Sequence, residues 1–150
     1  MNWILKKFDE LSPHELYALL RLRSEVFVVE QNCVFLDMDN KDQLSYHLMG
    51  WQDDTILAYA RIVPPGILYI LPSIGRVVTS PAHRNQGLGI LLMNKSIEEL
   101  TRLLGTMPIR IGAQLYLKKF YEGFGFSQTS DLYDEDGIDH IEMTRSADNS

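Results

Sequence analysis

An arginine and two glycines, in the stretch RNQGLG from Arg84 to Gly89, immediately precede a long apolar helix pattern. The N-terminus of a helix exposes unpaired N–H groups and carries about half a positive charge, so it attracts anions. Glycines let a diphosphate approach the backbone without a Cβ in the way. The stretch is therefore a candidate phosphate site. From the spacing alone, a tight turn that needs glycine only for its φ angles is an equally good interpretation.

Two common phosphate motifs fit this stretch less well. A dinucleotide fingerprint needs a third glycine, and Leu92 stands at that position. A P-loop needs Gly-Lys-Ser/Thr, which the sequence lacks. The sequence also has no cluster with metal-ligand spacing and no G-x-S-x-G elbow, so we expect neither a metal site nor a serine nucleophile.

Length and charge narrow the class of protein further. The 150 residues fit one domain, 1–150, and the net charge of −6 disfavours a nucleic-acid partner. A cationic partner such as an amine suits this charge better. Cys33 is the single cysteine, which favours a reducing, cytoplasmic setting. No apolar run resembles a signal peptide or a membrane span, so we expect no membrane partner.

Hydrophobic periodicity predicts alternating strands and helices. Ser12, Pro13 and Glu15 form a helix-start signal, with the serine as N-cap and the glutamate closing a capping box. The apolar residues after Gly87 follow the helical period and predict the longest helix. In chain order we predict a strand at WILKKF, the helix after Ser12, a hairpin turning at Asp53–Asp54, a strand at IGRVVT, the long helix, a strand at PIRIGA, a short helix within LYLKKFYEGFGF, and strands near 126–130 and 138–144.

Two blocks in this order resemble the GCN5-related N-acetyltransferases (GNAT). The first is IGRVVTSPAHRNQGLG, whose Arg84, Gly87 and Gly89 match the family signature R/Q-x-x-G-x-G/A. The second is IRIGAQLYLKKFYEGFGF, with Tyr121 in a helix before a Gly-Phe pair. The resemblance extends to the ElaA-type branch and to nearly the whole chain through LYALLRLRSEVFVVEQNC, HLMGW, LAYARI and YDEDGIDHIEM.

The resemblance implies an α/β fold in which a twisted mixed sheet, flanked by helices, has central strands that splay apart. The gap would admit the pantetheine arm of acetyl-CoA, which makes acetyl-CoA the expected co-substrate. Many relatives carry Asn where this chain has Gln114, whose side chain is longer by a methylene. Relatives also often form homodimers. The implied contacts are the backbone of Val77, Val78 and Thr79 with the arm, a diphosphate cradle of Arg84, Asn85, Gln86, Gly87, Leu88 and Gly89, and the side chain of Gln114.

Acetyl transfer to an amine needs a polarised thioester carbonyl, a neutral amine, a stabilised thiolate and reactants held together. A backbone N–H near Val78 could supply the oxyanion donor. The resemblance makes Tyr121 the partner of the leaving thiolate, whereas its place on an apolar helix face would otherwise indicate a core residue. Glu30 follows an apolar run and is the candidate catalytic carboxylate on the acceptor side. The acceptor would be a small-molecule amine or a protein amino group.

Other polar residues have two interpretations each. Asp37, Asp39 and Asp42 could attract a cationic amine or form a solvated acidic loop. His47 and His140 could relay a proton near neutral pH or could be structural.

Three functions stay open on the sequence alone. The first is an acetyl-CoA-dependent N-acetyltransferase. The second is a non-catalytic acyl-CoA-binding or sensing module of the same fold, and the third is a nucleotide-binding regulator that uses the same turn. The intact RNQGLG turn and Tyr121 favour the enzyme.

Overall fold

Strands and helices alternate in a computed structural model that describes residues 1–148. The predicted long helix and the predicted hairpin are both present, with the hairpin turn between Gln52 and Thr55. The elements are β1 (Asn2–Lys7), α1 (Pro13–Ser24) with a π-helical continuation (Glu25–Glu30), β2 (Tyr46–Gln52), β3 (Thr55–Val63), β4 (Ser73–Thr79), α2 (Leu88–Leu104), β5 (Ile109–Gln114), α3 (Lys118–Glu122), β6 (Phe126–Gln128), β7 (Tyr133–Glu135) and β8 (Ile138–Arg145). Short 3₁₀ turns join several of them.

The strands form two antiparallel sheets that meet at β4 and β5. One sheet has the order β1-β2-β3-β4, and in the other β8 pairs with β5, β6 and β7. The backbone N–H of Arg110 donates to the carbonyl of Pro72 at 3.0 Å, so β4 and β5 begin side by side. Beyond that bond each strand is an edge of its own sheet. The predicted mixed α/β architecture with separated central strands is therefore present.

Helices cover both faces of the first sheet because its strands alternate their side chains. Leu48 on β2 faces the apolar cluster that contains Leu92 and Leu100 of α2. The next residue along β2, Met49, faces the second cluster, which contains Leu19 of α1. The first sheet is thus held between two separate apolar cores.

Helix α1 begins where the sequence predicts. The Oγ of Ser12 accepts a hydrogen bond from the N–H of Glu15 at 3.0 Å, and the Ser12 N–H donates to the Glu15 carboxylate at 2.8 Å. Pro13 takes the first helical position, where its missing N–H costs nothing. The helix runs to Ser24, and its π-helical continuation ends at Glu30.

A β-bulge interrupts the pairing of β3 with β4. Arg61 pairs with Gly75 and Tyr59 pairs with Val78, so one residue of β3 faces two residues of β4. Arg76, inside the bulge, has a φ of 50°, in the left-handed region that L-residues rarely adopt. The bulge therefore turns β4 just before Val77 and Val78.

The polar loop at 37–45 is neither solvated nor free to attract a cationic amine. Both interpretations that the sequence offered for its three aspartates are therefore wrong. Its carboxylates bind arginines from α1, β3 and β4, and they lie largely inside the protein. The pairs are Arg23 with Asp37 and Asp42, Arg61 with Asp39 and Asp42, and Arg76 with Asp37 and Asp39. Three positive and three negative charges balance within this network, which we call the arginine–aspartate network.

The network holds the carboxylates of Asp39 and Asp42 ionised. Burial disfavours the charged forms of Asp39 and Asp42, but hydrogen bonds and charge from the arginines outweigh it. The pKa of each carboxyl therefore lies below its ordinary value. A carboxyl whose folded-state pKa is lowered stabilises the fold above its unfolded-state pKa, and it loses that contribution as the pH falls.

We therefore predict acid sensitivity that depends on this loop. The free energy of unfolding should fall as the pH drops below about 4, the ordinary pKa of an aspartate. Urea denaturation between pH 7 and pH 3 measures it. Asp39→Asn should show a shallower pH dependence than the wild type in this range, since one of the responsible carboxyls is gone. Equal slopes for the two proteins would contradict this assignment.

Candidate active site

The RNQGLG stretch forms a turn that delivers the N-terminus of α2 to the end of β4. Gly87 is the N-cap of α2 with a φ of 72°, and Asn85 before it has a φ of 65°. No side chain caps this helix start. The N–H groups of the first turn have no partner within the helix, so they are open to an anion.

The two glycines of the turn serve different purposes. At Gly87 a Cβ would meet no atom within 4 Å, so the positive φ and not crowding requires glycine there. Gly89 does not have a positive φ, and its Cβ would make an ordinary contact of 3.6 Å with the Phe120 ring. The turn therefore explains Gly87 but leaves Gly89 unexplained. Close approach of a ligand to the helix backbone would account for a glycine at this position, and that role of Gly89 stays a prediction.

Arg84 and Glu30 form a bidentate ion pair. Arg84 donates to the two carboxylate oxygens of Glu30 at 2.7 and 2.6 Å, and both side chains are 40% exposed. The hydrogen bond and charge of Arg84 hold the pKa of Glu30 below its usual range, so Glu30 is a weak base in this arrangement. The structure thus brings the predicted acceptor-side carboxylate against the predicted diphosphate arginine.

The segment that ends α1 also contacts β5. The side-chain amide of Gln114, at the end of β5, donates to the amide oxygen of Gln31 at 3.3 Å. Glu30 and Gln31 therefore contact both sides of the gap, one beyond β4 and the other on β5. This arrangement gives Gln114 a place at the gap, as the resemblance implies.

Val77, Val78 and Thr79 lie on β4 immediately after the bulge. Val78 pairs with Tyr59 and Thr79 pairs with Ala58, so β3 occupies one edge of β4. The other edge borders the gap to β5. Backbone N–H and C=O groups along an unpaired strand edge bind an extended ligand in the manner of an added strand.

Tyr121 lies in α3 with its ring in the main apolar cluster. The ring makes edge contacts with Phe120 and Phe126, with centroid separations of 5.1 and 6.2 Å. Burial, with a smaller contribution from Tyr116, raises the pKa of Tyr121 to about 12. Its hydroxyl has no hydrogen-bond partner within residues 1–148. At neutral pH the phenol is therefore a protonated donor, suited to hydrogen bonding a thiolate more than to giving up its proton.

Two tyrosines that sequence reasoning missed meet above β5. A Cβ at Gly112 would lie 3.0 Å from the hydroxyl oxygen of Tyr69 and 3.2 Å from that of Tyr133. Burial raises the pKa of Tyr69 to about 12, and Tyr133 and Glu142 add to the effect. The signal in the sequence was the glycine inside the IRIGA strand pattern, because such a glycine marks close approach of another group.

The two histidines differ in their surroundings. His47 is fully buried, and its ring nitrogens lie 2.7 Å from the Tyr59 hydroxyl and 2.8 Å from the Asp42 carbonyl. Burial lowers its pKa, so it is a structural residue. The Nε2 of His140 lies 3.2 Å from the Glu135 carboxylate, and its ring lies 5.9 Å from that of Tyr133. His140 therefore belongs to the tyrosine cluster above β5.

Within residues 1–148 no group of three or more His, Cys, Asp or Glu side chains could hold a metal ion. In the same range, none of the helices has the length and apolarity needed to cross a membrane.

Comparison with known proteins identifies the family. The family model for the acetyltransferase (GNAT) domain matches residues 15–147. Protein ElaA of Escherichia coli (strain K12) is 43% identical over 147 residues, which cover 97% of this chain and 96% of ElaA. The crystal structure of an acyl-CoA N-acyltransferase from Pseudomonas aeruginosa has a TM-score of 0.93 at 42% identity, and the match covers 97% of this chain and 99% of that one. The crystal structure of E. coli ElaA has a TM-score of 0.90, 42% identity and the same coverage.

The chain therefore belongs to the GNAT acetyltransferase family. Within that family its relatives place it in the ElaA-type branch. The predicted resemblance and fold class are both confirmed. The family and its solved neighbours support an acyl-CoA-dependent N-acyltransferase.

Because Gly87 and Gly89 have different roles, replacing each with alanine should have opposite effects on the free energy of unfolding. Gly87→Ala should lower the free energy of unfolding by about 1 kcal/mol, because alanine must adopt a positive φ. Gly89→Ala should raise it by about 0.5 kcal/mol, since alanine favours the helix and its methyl group meets only an ordinary contact. Urea denaturation measures both variants. A destabilised Gly89→Ala would contradict the view that the fold does not require this glycine.

Proposed function

We propose that this protein is an acetyl-CoA-dependent N-acetyltransferase that acetylates a primary amine by direct attack within a ternary complex. The observation that carries the proposal is the gap between β4 and β5, together with the uncapped N-terminus of α2, the helix that follows β4 along the chain. Family membership and an acyl-CoA N-acyltransferase neighbour support acyl-CoA use. In the proposal residues 1–150 act as one domain.

In the proposal the site residues on each side of the gap bind a different part of the co-substrate or border it. The turn from Arg84 to Gly89 binds the diphosphate through its helix N–H groups and the Arg84 guanidinium. The free edge of β4 at Val77–Thr79 hydrogen-bonds the pantetheine arm, and Gln114 borders the arm from β5.

The proposed chemical step forms a C–N bond, breaks the C–S bond of the thioester and removes one proton from the amine. The neutral amine attacks the thioester carbonyl, and a backbone N–H near Val78 stabilises the developing oxyanion. The C–S bond then breaks, and the thiolate accepts a hydrogen bond from the Tyr121 hydroxyl. The amine proton leaves to water.

We propose the tyrosine cluster above Gly112 as the acceptor side. The cluster lies over Gly112, on the same strand as Gln114. It presents phenol hydroxyls beside the carboxylates of Glu135 and Glu142. Hydroxyl and carboxylate oxygens accept hydrogen bonds from an amine. The acceptor is a small-molecule amine or a protein amino group.

The first test of the function measures both the binding of acetyl-CoA and the formation of product. Calorimetric titration should give micromolar binding of acetyl-CoA, and an amine panel should then yield an acetylated product. Tyr121→Phe should lower kcat about tenfold or more while leaving the KM for acetyl-CoA nearly unchanged, because its hydrogen bond forms with the departing thiolate. Tyr17→Phe, on the exposed face of α1, is the matched control and should behave as wild type.

The possible outcomes separate the candidate functions. Binding of acetyl-CoA with no product across a broad panel would favour the sensing module. Absence of acetyl-CoA binding would contradict the proposed function altogether. Full activity in Tyr121→Phe would remove Tyr121 from the mechanism and leave the rest intact.

A second prediction concerns competition for Arg84. Glu30→Gln removes the carboxylate that occupies the guanidinium, so the Kd for CoA should fall by up to about fivefold, as expected for an exposed pair. If Glu30 serves the acceptor, kcat/KM for the amine should fall in the same variant. Glu122→Gln, in α3, is the control. An unchanged Kd together with an unchanged kcat/KM would remove Glu30 from the site.

A further inference from the structure

The bulge in β4 lies directly before the residues proposed to bind the arm of the co-substrate. One residue of β3 faces Arg76 and Val77 of β4, and regular pairing resumes at Val78. An extra residue in one strand shifts by one position which of the following residues face each side of the strand. The bulge therefore decides which backbone groups of Val77 and Val78 face the gap.

The backbone of Arg76 does not favour this bulge by itself. Its φ of 50° is one that glycine adopts freely and that an L-residue with a long side chain rarely adopts. An arginine at this position needs compensating contacts.

The side chain of Arg76 supplies those contacts. Its Nε donates to the Asp37 carboxylate at 2.8 Å, and a terminal nitrogen donates to the Asp37 carbonyl at 2.9 Å. A planar guanidinium makes these two bonds together, and an ammonium group does not reproduce them. Arg76 is thus tied to the loop by both the side chain and the backbone of one residue.

Asp37 is itself fixed in place. Its second carboxylate oxygen accepts from the Nε of Arg23 at 2.8 Å, and Arg23, on α1, is fully buried. Arg23 also binds Asp42, which binds Arg61 on β3. The tether on Arg76 therefore leads back through buried charges to the strand that pairs with the bulge.

We propose that Arg76 and Asp37 are positioning residues, which hold the β4 bulge in the form that presents the backbone of Val77 and Val78 to the pantetheine arm. Neither residue contacts the reacting atoms. The inference rests on the proposed acyl-CoA function, and it assigns the arginine–aspartate network a role in co-substrate binding besides its role in stability.

Arg76→Gly tests the proposal with little risk to the fold. Glycine removes the tether but accepts the positive φ, and Asp37 and Asp39 keep Arg23 and Arg61 as partners. Calorimetry should compare acetyl-CoA with 3′-phosphoadenosine 5′-diphosphate, a fragment that lacks the arm. We expect Arg76→Gly to weaken acetyl-CoA binding about tenfold, roughly the effect of a lost hydrogen bond. The fragment should bind as to wild type.

Two further variants complete the test. Arg76→Lys keeps the charge but not the paired bonds, so its acetyl-CoA affinity should lie between those of wild type and Arg76→Gly. Asp53→Gly replaces another residue of positive φ, in the β2–β3 turn, and should change neither affinity. Thermal unfolding of all variants separates positioning from folding, because a purely structural role would lower the Tm without changing the ratio of the two affinities.

The outcomes distinguish this inference from the proposed function. Wild-type protein that binds acetyl-CoA no more tightly than the fragment would contradict arm binding itself. Wild-type discrimination that persists unchanged in a folded Arg76→Gly or Arg76→Lys variant would overturn the positioning role and leave the proposed function standing.

Discussion

The separation of β4 from β5 is the constraint on which the rest of the structure depends. A single backbone bond, from Arg110 to Pro72, joins the beginnings of the two strands, and each then forms the edge of its own sheet. Strand edges inside a protein carry N–H and C=O groups that need partners. Two apolar cores, one on each face of the first sheet, hold the strands in place without that pairing. The gap is thus a stable feature of the fold, and its edges are available to a ligand.

Two sets of ion pairs around this gap differ in burial. The buried set supports the fold, whereas the exposed pair is suited to a role in binding. The arginine–aspartate network is largely buried and balanced in charge, so the loss of a fully buried partner such as Arg23 would leave an uncompensated charge inside the protein. The pair of Arg84 with Glu30 is 40% exposed on both sides, and an exposed pair contributes little to stability. Arg84 can therefore exchange its carboxylate partner for a phosphate at small cost. The buried network fixes the shape of β4, and the exposed pair leaves the RNQGLG turn free to bind a phosphate.

Local patterns in the sequence predicted the elements and much of the candidate site. The capping residues Ser12 and Glu15, the helical period after Gly87 and the turn at Asp53–Asp54 all depend on neighbours a few residues apart. The resemblance added the roles of Tyr121 and the RNQGLG turn, which periodicity alone assigns to a core and a turn.

The contacts that the sequence did not predict join pairs of residues that are distant along the chain. Asp37 binds Arg76 from 39 residues away, and Glu30 binds Arg84 from 54 residues away. Nothing in the acidic composition of the loop reveals which of 14 lysines and arginines its carboxylates will meet. The meeting of Tyr69 and Tyr133 over Gly112 has the same origin, because only the assembled sheet brings a loop, an edge strand and β5 together.

Hydrogen exchange at the edge of β4 tests the central claim most directly. Those amides of Val77–Thr79 that face the gap should exchange more slowly when acetyl-CoA is bound, because the arm then pairs with the strand. The fragment 3′-phosphoadenosine 5′-diphosphate should slow only the amides of the turn from Arg84 to Gly89. Protection of β4 by acetyl-CoA alone would support the account. Saturating acetyl-CoA that leaves the β4 amides unchanged would contradict it.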